Sequence, residues 1–198
     1  EPTEKITFAT YNLIGGKWTT FRAFAEQTTD KVLARLGHTR LASTQNMPIG
    51  GGKSYPIGQS AADAWLTQQQ ETYALPKQVI ETLFKRYGTR AELLLHHVQQ
   101  ENGLVEMTPF AHHAATYQQE IAFLAQNEKI VHLDDLILRR SHLAMLGHIT
   151  TPFLNELADV MAETLDWSVK QRQEEVERTI MILAERYRVH LDHTPADT

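Results

Sequence analysis

Apolar residues recur with the 3.6-residue spacing of an α-helix along most of the chain from Gln59 onward. Several of these segments end at a glycine, such as Gly88 and Gly103, which is a common way for a helix to stop. No clear strand pattern separates them. The sequence therefore predicts a mainly α protein, with a helical domain of about six to seven helices joined by short connections.

Helix starts are indicated by capping residues and prolines. We expect capping boxes at three starts: Ser60 with Asp63, Thr89 with Glu92, and Ser168 with Gln171. Pro76 and the Thr151-Pro152 pair are expected to open two more helices. A further helix is expected to begin near Asp134 and to continue to Gly147, whereas the residues after Thr108-Pro109 show no clear periodicity.

The start of the chain has a different pattern. An apolar, β-prone stretch from Ile6 to Ile14 predicts a strand, Gly15-Gly16 ends it, and a helical stripe runs from Phe21 to Leu36, with Gly37 at its end. We therefore expect one strand and one helix that remain from an α/β domain. Our domain prediction is 1–37 for this part, 38–58 for a linker loop, 59–190 for the helical domain and 191–198 for a tail.

Composition excludes several classes of protein. The 198-residue chain has a net charge of −5 and a pI near 6.1, which argues against nucleic acid as a partner. It has no cysteine, so thiolate sites and disulfides are excluded. No apolar run approaches the roughly 20 residues of a membrane helix. Because the chain begins at Glu1 rather than Met, we expect it to be a piece of a longer protein.

The residues that follow the predicted strand have a possible chemical use. The first backbone N–H groups of a helix have no internal partner, and glycine lets a ligand approach the backbone closely. Lys17 adds a positive charge there, and Thr19 and Thr20 add hydroxyl groups. Such a site suits a phosphate or a flavin ring. The same residues also suit a tight turn with a capping threonine, and residue types alone leave both interpretations open.

Four segments have a distinctive order of residues: Gly15-Gly16-Lys17-Trp18-Thr19-Thr20-Phe21-Arg22, Leu83-Phe84-Lys85-Arg86-Tyr87-Gly88, Gln119-Glu120-Ile121 with Asn127-Glu128, and Asp135-Leu136-Ile137-Leu138-Arg139-Arg140-Ser141. Their order of residues resembles that of the FAD-dependent glycerol-3-phosphate dehydrogenases. The segments occur in the family's order and span most of the chain. The first segment is the most specific of these matches.

The resemblance implies the C-terminal part of an enzyme that oxidises sn-glycerol 3-phosphate to dihydroxyacetone phosphate. A hydride passes to FAD, and electrons leave to a quinone or another acceptor. Lys17 matches a lysine beside the flavin and the substrate phosphate, so it is the expected catalytic and substrate-binding residue. The expected flavin contacts are Gly15, Gly16, Lys17, Trp18, Thr19 and Thr20. For Arg22, a flavin-side position and a surface ion pair both remain open.

One departure limits what this chain can do alone. The family's Gly-x-Gly-x-x-Gly motif for the dinucleotide does not occur in this sequence. We therefore expect the isolated chain to be inactive and to bind no flavin tightly. The full enzyme is expected in the cytoplasm, or peripherally on the inner face of the cell membrane. An uncovered edge strand would favour a homodimer.

Two alternative functions remain open at this stage. The helical part could serve protein interaction or oligomerisation without catalysis. The protein could also be an FAD oxidoreductase of another substrate, such as an amino acid, although the Lys17-x-Thr19-Thr20 pattern favours a phosphate.

Three other patterns concern possible binding sites. Gly52-Lys53-Ser54 lacks the first glycine of a P-loop, so it predicts a flexible loop. The adjacent pairs His96-His97 and His112-His113 would point apart on a helix, so no metal site is expected. One member of Arg139-Arg140 is expected to pair with Asp134, Asp135 or Glu128, and an interface with the flavin domain is the alternative.

Overall fold

Helices account for most of the regular structure, so the prediction of a mainly α chain is confirmed. The computed structural model describes residues 9–15, 17–103 and 105–191. Two units divide between Ile49 and Gly50.

In the first unit, a 3-10 turn at Trp18–Thr20 leads directly into helix α1, Phe21–Arg35. Gly37 follows with a φ of +74°, as predicted for the end of this helix. The predicted opening strand is described only from residue 9 onward, and residues 9–14 adopt no regular structure. None of the residues of α1 is buried, so its apolar stripe lies open to solvent in the described unit.

Residues after α1 are held against that helix by hydrogen bonds and ion pairs. Arg22 donates to the backbone carbonyls of Thr44 and Gln45, the latter at 3.1 Å. Glu26 accepts from the amide of Thr44 at 2.6 Å and pairs with Arg40. Arg22 thus binds carbonyl oxygens rather than the carboxylate partner that one interpretation proposed. The first half of the segment 38–58 is attached to α1 and does not run free.

The second unit contains the remaining helices and a small sheet. The longer helices are α2 (Gln59–Tyr73), α3 (Lys77–Tyr87), α4 (Ala91–Asn102), α5 (Gln118–Asn127), α7 (Thr151–Thr164) and α8 (Val169–Tyr187). A short turn, α6 (Leu133–Asp135), continues into a π-helical turn at Leu136–Arg140.

Two apolar clusters form the core of this unit. One joins α2, α3 and α4 around Ile80, Leu83 and Leu95, which are fully buried. The other joins α5 to α8 around Phe153 and Leu157. Burying such a side chain stabilises the folded state by about 1.5–3 kcal/mol. The helical periodicity therefore identified the buried faces of this unit.

A β-hairpin lies where the sequence showed no clear pattern. Strand β1, Pro109–Phe110, pairs antiparallel with β2, His113–Tyr117. The expectation of helices alone after Gln59 was therefore wrong at this point. Two and five residues are too few for alternation to show, and the hairpin is fixed by tertiary packing. Phe110 is buried and meets Phe153 edge to face, with ring centroids 5.4 Å apart.

The prediction of a helix from about Asp134 to Gly147 is also wrong, because regular structure stops at Arg140. The Ser141 hydroxyl donates to the carbonyl of Leu136 at 2.9 Å, which ends the π-helical turn. Beyond it, Leu146 is 62% exposed rather than part of an apolar face. Residues 141–148 instead form a loop of consecutive turns.

The three expected capping boxes had different outcomes. Ser168 accepts from the amide of Gln171 at 3.2 Å, so that prediction of a cap is confirmed. Ser60 lies inside α2, whose first residue is Gln59, so it caps nothing. Thr89 is not a cap either. Its hydroxyl donates to two backbone carbonyls of the loop that precedes α2, that of Gly51 at 3.0 Å and that of Lys53 at 2.7 Å.

The glycine-rich loop is packed against the end of α3 rather than free. Gly51 is buried, and its carbonyl also accepts from the Thr89 amide at 3.1 Å. A Cβ at Gly51 would lie 2.0 Å from the carbonyl oxygen of Tyr87, and one at Gly88 would lie 2.4 Å from that of Gly51. Only glycine at both positions permits this approach, so the prediction of a flexible loop was wrong here.

Candidate functional site

The segment predicted to contact flavin lies at the start of α1 and is exposed. Lys17 precedes the 3-10 turn in an extended conformation, and Trp18 is 91% exposed. Thr20 donates both its amide, at 3.3 Å, and its hydroxyl, at 3.0 Å, to the Lys17 carbonyl. Gly16 lies outside the described residues. The Thr20 hydroxyl therefore closes the turn, as the tight-turn interpretation expected. Lys17 itself is exposed to solvent.

A shallow groove of about 600 Å³ runs along this segment. Gly15, Lys17, Trp18 and Thr20 all line it, whereas Thr19 does not. A Cβ at Gly15 would lie 3.3 Å from the ring of Phe24, so glycine allows the ring to sit close to the backbone. The structure thus brings four of the predicted site residues to one surface. This surface carries one positive charge and the first amides of a helical turn, which is a set of donors suited to an anionic or carbonyl-rich ligand.

The second unit contains a smaller and more polar cavity that the sequence did not indicate. We call it the basic pocket; its volume is about 230 Å³. It is lined by Lys85, Arg86, Tyr87, His113, Thr116, Glu120, Ile121, Leu124, Arg140, Ser141, His142, Leu143, Leu146 and His148. These residues come from α3, β2, α5, the π-helical turn and the loop 141–148.

A buried carboxylate fixes one wall of the basic pocket. Glu120 accepts from Arg86 at 2.8 and 2.6 Å, and from the Tyr87 hydroxyl at 2.6 Å. Arg86 also donates to the carbonyl of Ala115 at 2.6 Å. Burial and the neighbouring Glu120 carboxylate raise the pKa of Tyr87, so its hydroxyl remains a donor. The Glu120 charge is therefore matched and held in place by donors from α3.

A histidine pair forms the opposite wall. His113 stacks on Phe153 with ring centroids 5.0 Å apart, and its Nδ1 lies 2.9 Å from the Thr116 hydroxyl. Its Nε2 lies 3.2 Å from Nδ1 of His148. Burial, and then the neighbouring His148, lower the pKa of His113. The expectation that His112-His113 would lie on a helix was wrong, since both belong to the hairpin region.

The Arg139-Arg140 segment takes part in ion pairs, as expected. Arg139 donates to Asp134 at 3.1 Å and to Asp135 at 2.8 Å. Asp134, which is buried, also binds Arg178 of α8. Burial alone would raise the pKa of Asp134, but hydrogen bonds from Arg178 and Arg139 outweigh it and hold that pKa below its usual range. Arg140 lies 3.9 Å from Glu128, a much looser pair.

Comparison with known protein families gives a match over residues 42–172, to the family of the C-terminal domain of alpha-glycerophosphate oxidase. The chain belongs to this family. Most of the helical unit, including the basic pocket, Asp134 and Arg139, therefore lies within the C-terminal alpha-glycerophosphate oxidase domain, whereas Arg178 follows the matched residues. The segment Gly15–Thr20 precedes the matched residues.

Individual relatives extend the similarity towards the start of the chain. A probable mitochondrial glycerol-3-phosphate dehydrogenase of Dictyostelium discoideum is 28% identical over 84% of this chain and 25% of its own length. The mitochondrial enzyme of Saccharomyces cerevisiae is 26% identical, over 85% of the chain and 28% of its length. A glycerol-3-phosphate dehydrogenase of Synechocystis is 27% identical, over 84% of this chain and 29% of its own length. The chain thus spans between a quarter and a third of these relatives. The resemblance inferred from sequence motifs is confirmed at the level of the family.

Within this family domain, two of the motifs are joined by a direct contact. Arg86 and Tyr87 belong to the Leu83–Gly88 motif, and Glu120 belongs to the Gln119-Glu120-Ile121 motif. Their hydrogen bonds tie α3 to α5. These residues hold the two core clusters together.

In residues 9–15, 17–103 and 105–191, no group of three or more His, Asp or Glu side chains is arranged to bind a metal ion. Over the same ranges, none of the helices combines the length and apolar character that crossing a bilayer requires.

Proposed function

We propose that this chain is the C-terminal part of an FAD-dependent glycerol-3-phosphate dehydrogenase that oxidises sn-glycerol 3-phosphate to dihydroxyacetone phosphate. The observation that carries the proposal is the family match over residues 42–172, together with relatives named glycerol-3-phosphate dehydrogenase that extend over most of the chain. The sequence Gly15–Thr20 ahead of the matched domain adds the local chemistry that this reaction needs.

Lys17 is proposed to bind the substrate phosphate and to stabilise negative charge beside the flavin. It lines an open groove and precedes a turn, where the first amides have no partner within the helix. A lysine ammonium is a compact, mobile charge suited to a phosphate oxygen. Charge placed in advance where negative charge develops is among the largest contributions to catalysis.

The residues of this groove fit one side of a flavin ring. Gly15 lets the Phe24 ring lie close to the backbone, the first amides of the turn lack partners within the helix, and Trp18 provides an exposed aromatic face. FAD supplies the hydride acceptor of the proposed reaction. Because this sequence has no Gly-x-Gly-x-x-Gly motif, we propose that the chain alone neither binds FAD tightly nor turns over substrate.

Steady-state kinetics of the full-length enzyme test the role of Lys17. For Lys17→Ala, we expect kcat/KM for glycerol 3-phosphate with an artificial acceptor to fall by about 10²–10³-fold. Lys31→Ala removes the same charge from an exposed position on α1 and should retain wild-type kinetics. Equal kinetics for the two variants would remove Lys17 from the site.

The remaining parts of the proposal concern the electron acceptor, the location of the enzyme, the domain limits and the oligomeric state. Electrons would pass to a quinone or another acceptor. The enzyme would be cytoplasmic or bound peripherally to the inner face of the cell membrane. The domain limits predicted at residues 37 and 58, and a homodimer, also remain proposals.

A further inference from the structure

We propose that the basic pocket of the second unit binds a small phosphate-bearing anion, either inorganic phosphate or a phosphate monoester. This site uses residues of the C-terminal domain alone and is independent of the proposed role of Lys17. The charge balance, the arrangement of donors and the size of the pocket all favour such a ligand.

The cations that line the pocket outnumber its carboxylates. Three cationic side chains line it, and the single lining carboxylate, Glu120, is bound through both oxygens to Arg86. The Lys85 side chain makes no hydrogen bond or ion pair with any residue that the structure describes. Arg140 lies 3.9 Å from Glu128, and that carboxylate also binds Arg90 at 3.3 Å. Lys85 therefore leaves one positive charge unmatched, and Arg140 adds a charge that is only partly matched, because it shares one carboxylate with Arg90.

The histidine pair can present a hydrogen-bond donor to the same space. Two sets of tautomers satisfy the observed distances, and in one of them Thr116 donates to Nδ1 of His113 while Nε2 of His113 donates to Nδ1 of His148. In this arrangement Nε2 of the exposed His148 carries a hydrogen and becomes a donor. His142 lines the pocket as well and is exposed. The donors thus come from two sides, α3 with the π-helical turn and the loop with the hairpin.

The size and the charge together select the ligand. At about 230 Å³ the pocket is smaller than the roughly 300–1,000 Å³ of sites for drug-sized ligands. Its floor is apolar, formed by Ile121, Leu124 and Leu143, all buried. A phosphate group with a charge of about −1.5 to −2 near neutral pH matches this excess of positive charge better than a carboxylate does. We therefore assign the pocket to a tetrahedral dianion of few atoms.

Isothermal titration of the full chain with inorganic phosphate, at constant ionic strength in chloride, tests this assignment. We expect saturable binding at one site. A double variant, Lys85→Gln with Arg140→Gln, should raise Kd by about tenfold or more, because two charge-assisted contacts are lost. The control double variant, Lys170→Gln with Arg186→Gln, removes equal charge from exposed positions of α8 and should keep the wild-type Kd.

Two further experiments identify the ligand and control for misfolding of the variants. Acetate in place of phosphate should give no saturable heat, and methyl phosphate should bind if the natural ligand is a monoester. His148→Gln, an exposed substitution, should weaken phosphate binding without changing the melting temperature measured without phosphate. The proposal is overturned if wild type shows no saturable phosphate binding, or if both double variants bind phosphate equally well.

Discussion

Arg86 donates to both carboxylate oxygens of Glu120, at 2.8 and 2.6 Å, and the Glu120 side chain is only 3% exposed. The pair joins α3 to α5 across the two core clusters. A buried charge that loses its partner is far more costly than the intact pair is stabilising. The pair therefore specifies how these helices pack.

For Arg86→Met, we expect the free energy of unfolding to fall by about 3 kcal/mol, because Glu120 is left buried with neutral donors only, the Tyr87 hydroxyl and the Tyr117 amide. Urea denaturation measures this. Lys77→Met, in an exposed pair with Glu81, should change it by less than about 0.5 kcal/mol. A double variant, Arg86→Met with Glu120→Leu, should recover part of the loss, and a double variant worse than the single one would contradict this account.

Replacing Gly88 by alanine should destabilise the second unit by about 3 kcal/mol or more, since strain and a backbone clash add. Gly88 has a φ of +57°, and a Cβ there would lie 2.4 Å from the Gly51 carbonyl oxygen. Gly103→Ala is the matched control: its φ is +75°, but nothing lies within 4 Å of the added Cβ. Gly103→Ala should cost about 1 kcal/mol, the strain alone. If thermal denaturation shows the same loss of stability for both variants, the close approach of Gly88 to Gly51 contributes nothing to stability.

Stability should fall in acid partly through Asp134. The pKa of this carboxyl is lowered in the folded protein, so its contribution is present above the unfolded value of about 3.9 and is lost as the pH falls through the folded value. Asp134→Asn should lower stability near neutral pH and flatten the decline below about pH 5. Asp159→Asn, whose carboxyl is 67% exposed, should keep the wild-type profile in acid urea titrations. An unchanged slope for Asp134→Asn would contradict this role of the Arg178 and Arg139 contacts.

Sequence reasoning succeeded where local chemistry decides the structure. Ser168 caps α8 and Gly103 ends α4, because both effects depend on residues within one turn. It failed where a side chain chooses between local and distant partners. Thr89 has the residue type and spacing of a cap, yet its hydroxyl binds carbonyls more than thirty positions away.

The basic pocket was missed for a related reason. Its wall 141–148 had enough leucine to imitate a helical stripe, and Ser141 ends the helix through a bond that spacing does not show. A usable signal was present in His142 and His148 beside Gly147, since polar residues interrupt the stripe there. The residues that line the groove at Lys17 were predicted from a sequence motif. Its chemistry remains a prediction.

The most direct test of the central claim is the anaerobic absorbance spectrum of the full-length protein before and after addition of sn-glycerol 3-phosphate. The account predicts a flavin band in the purified protein that bleaches with this substrate and not with glycerol or an amino acid. A protein without flavin, or one whose flavin band is unchanged by glycerol 3-phosphate, would contradict the proposed function and would leave only the family membership of the domain.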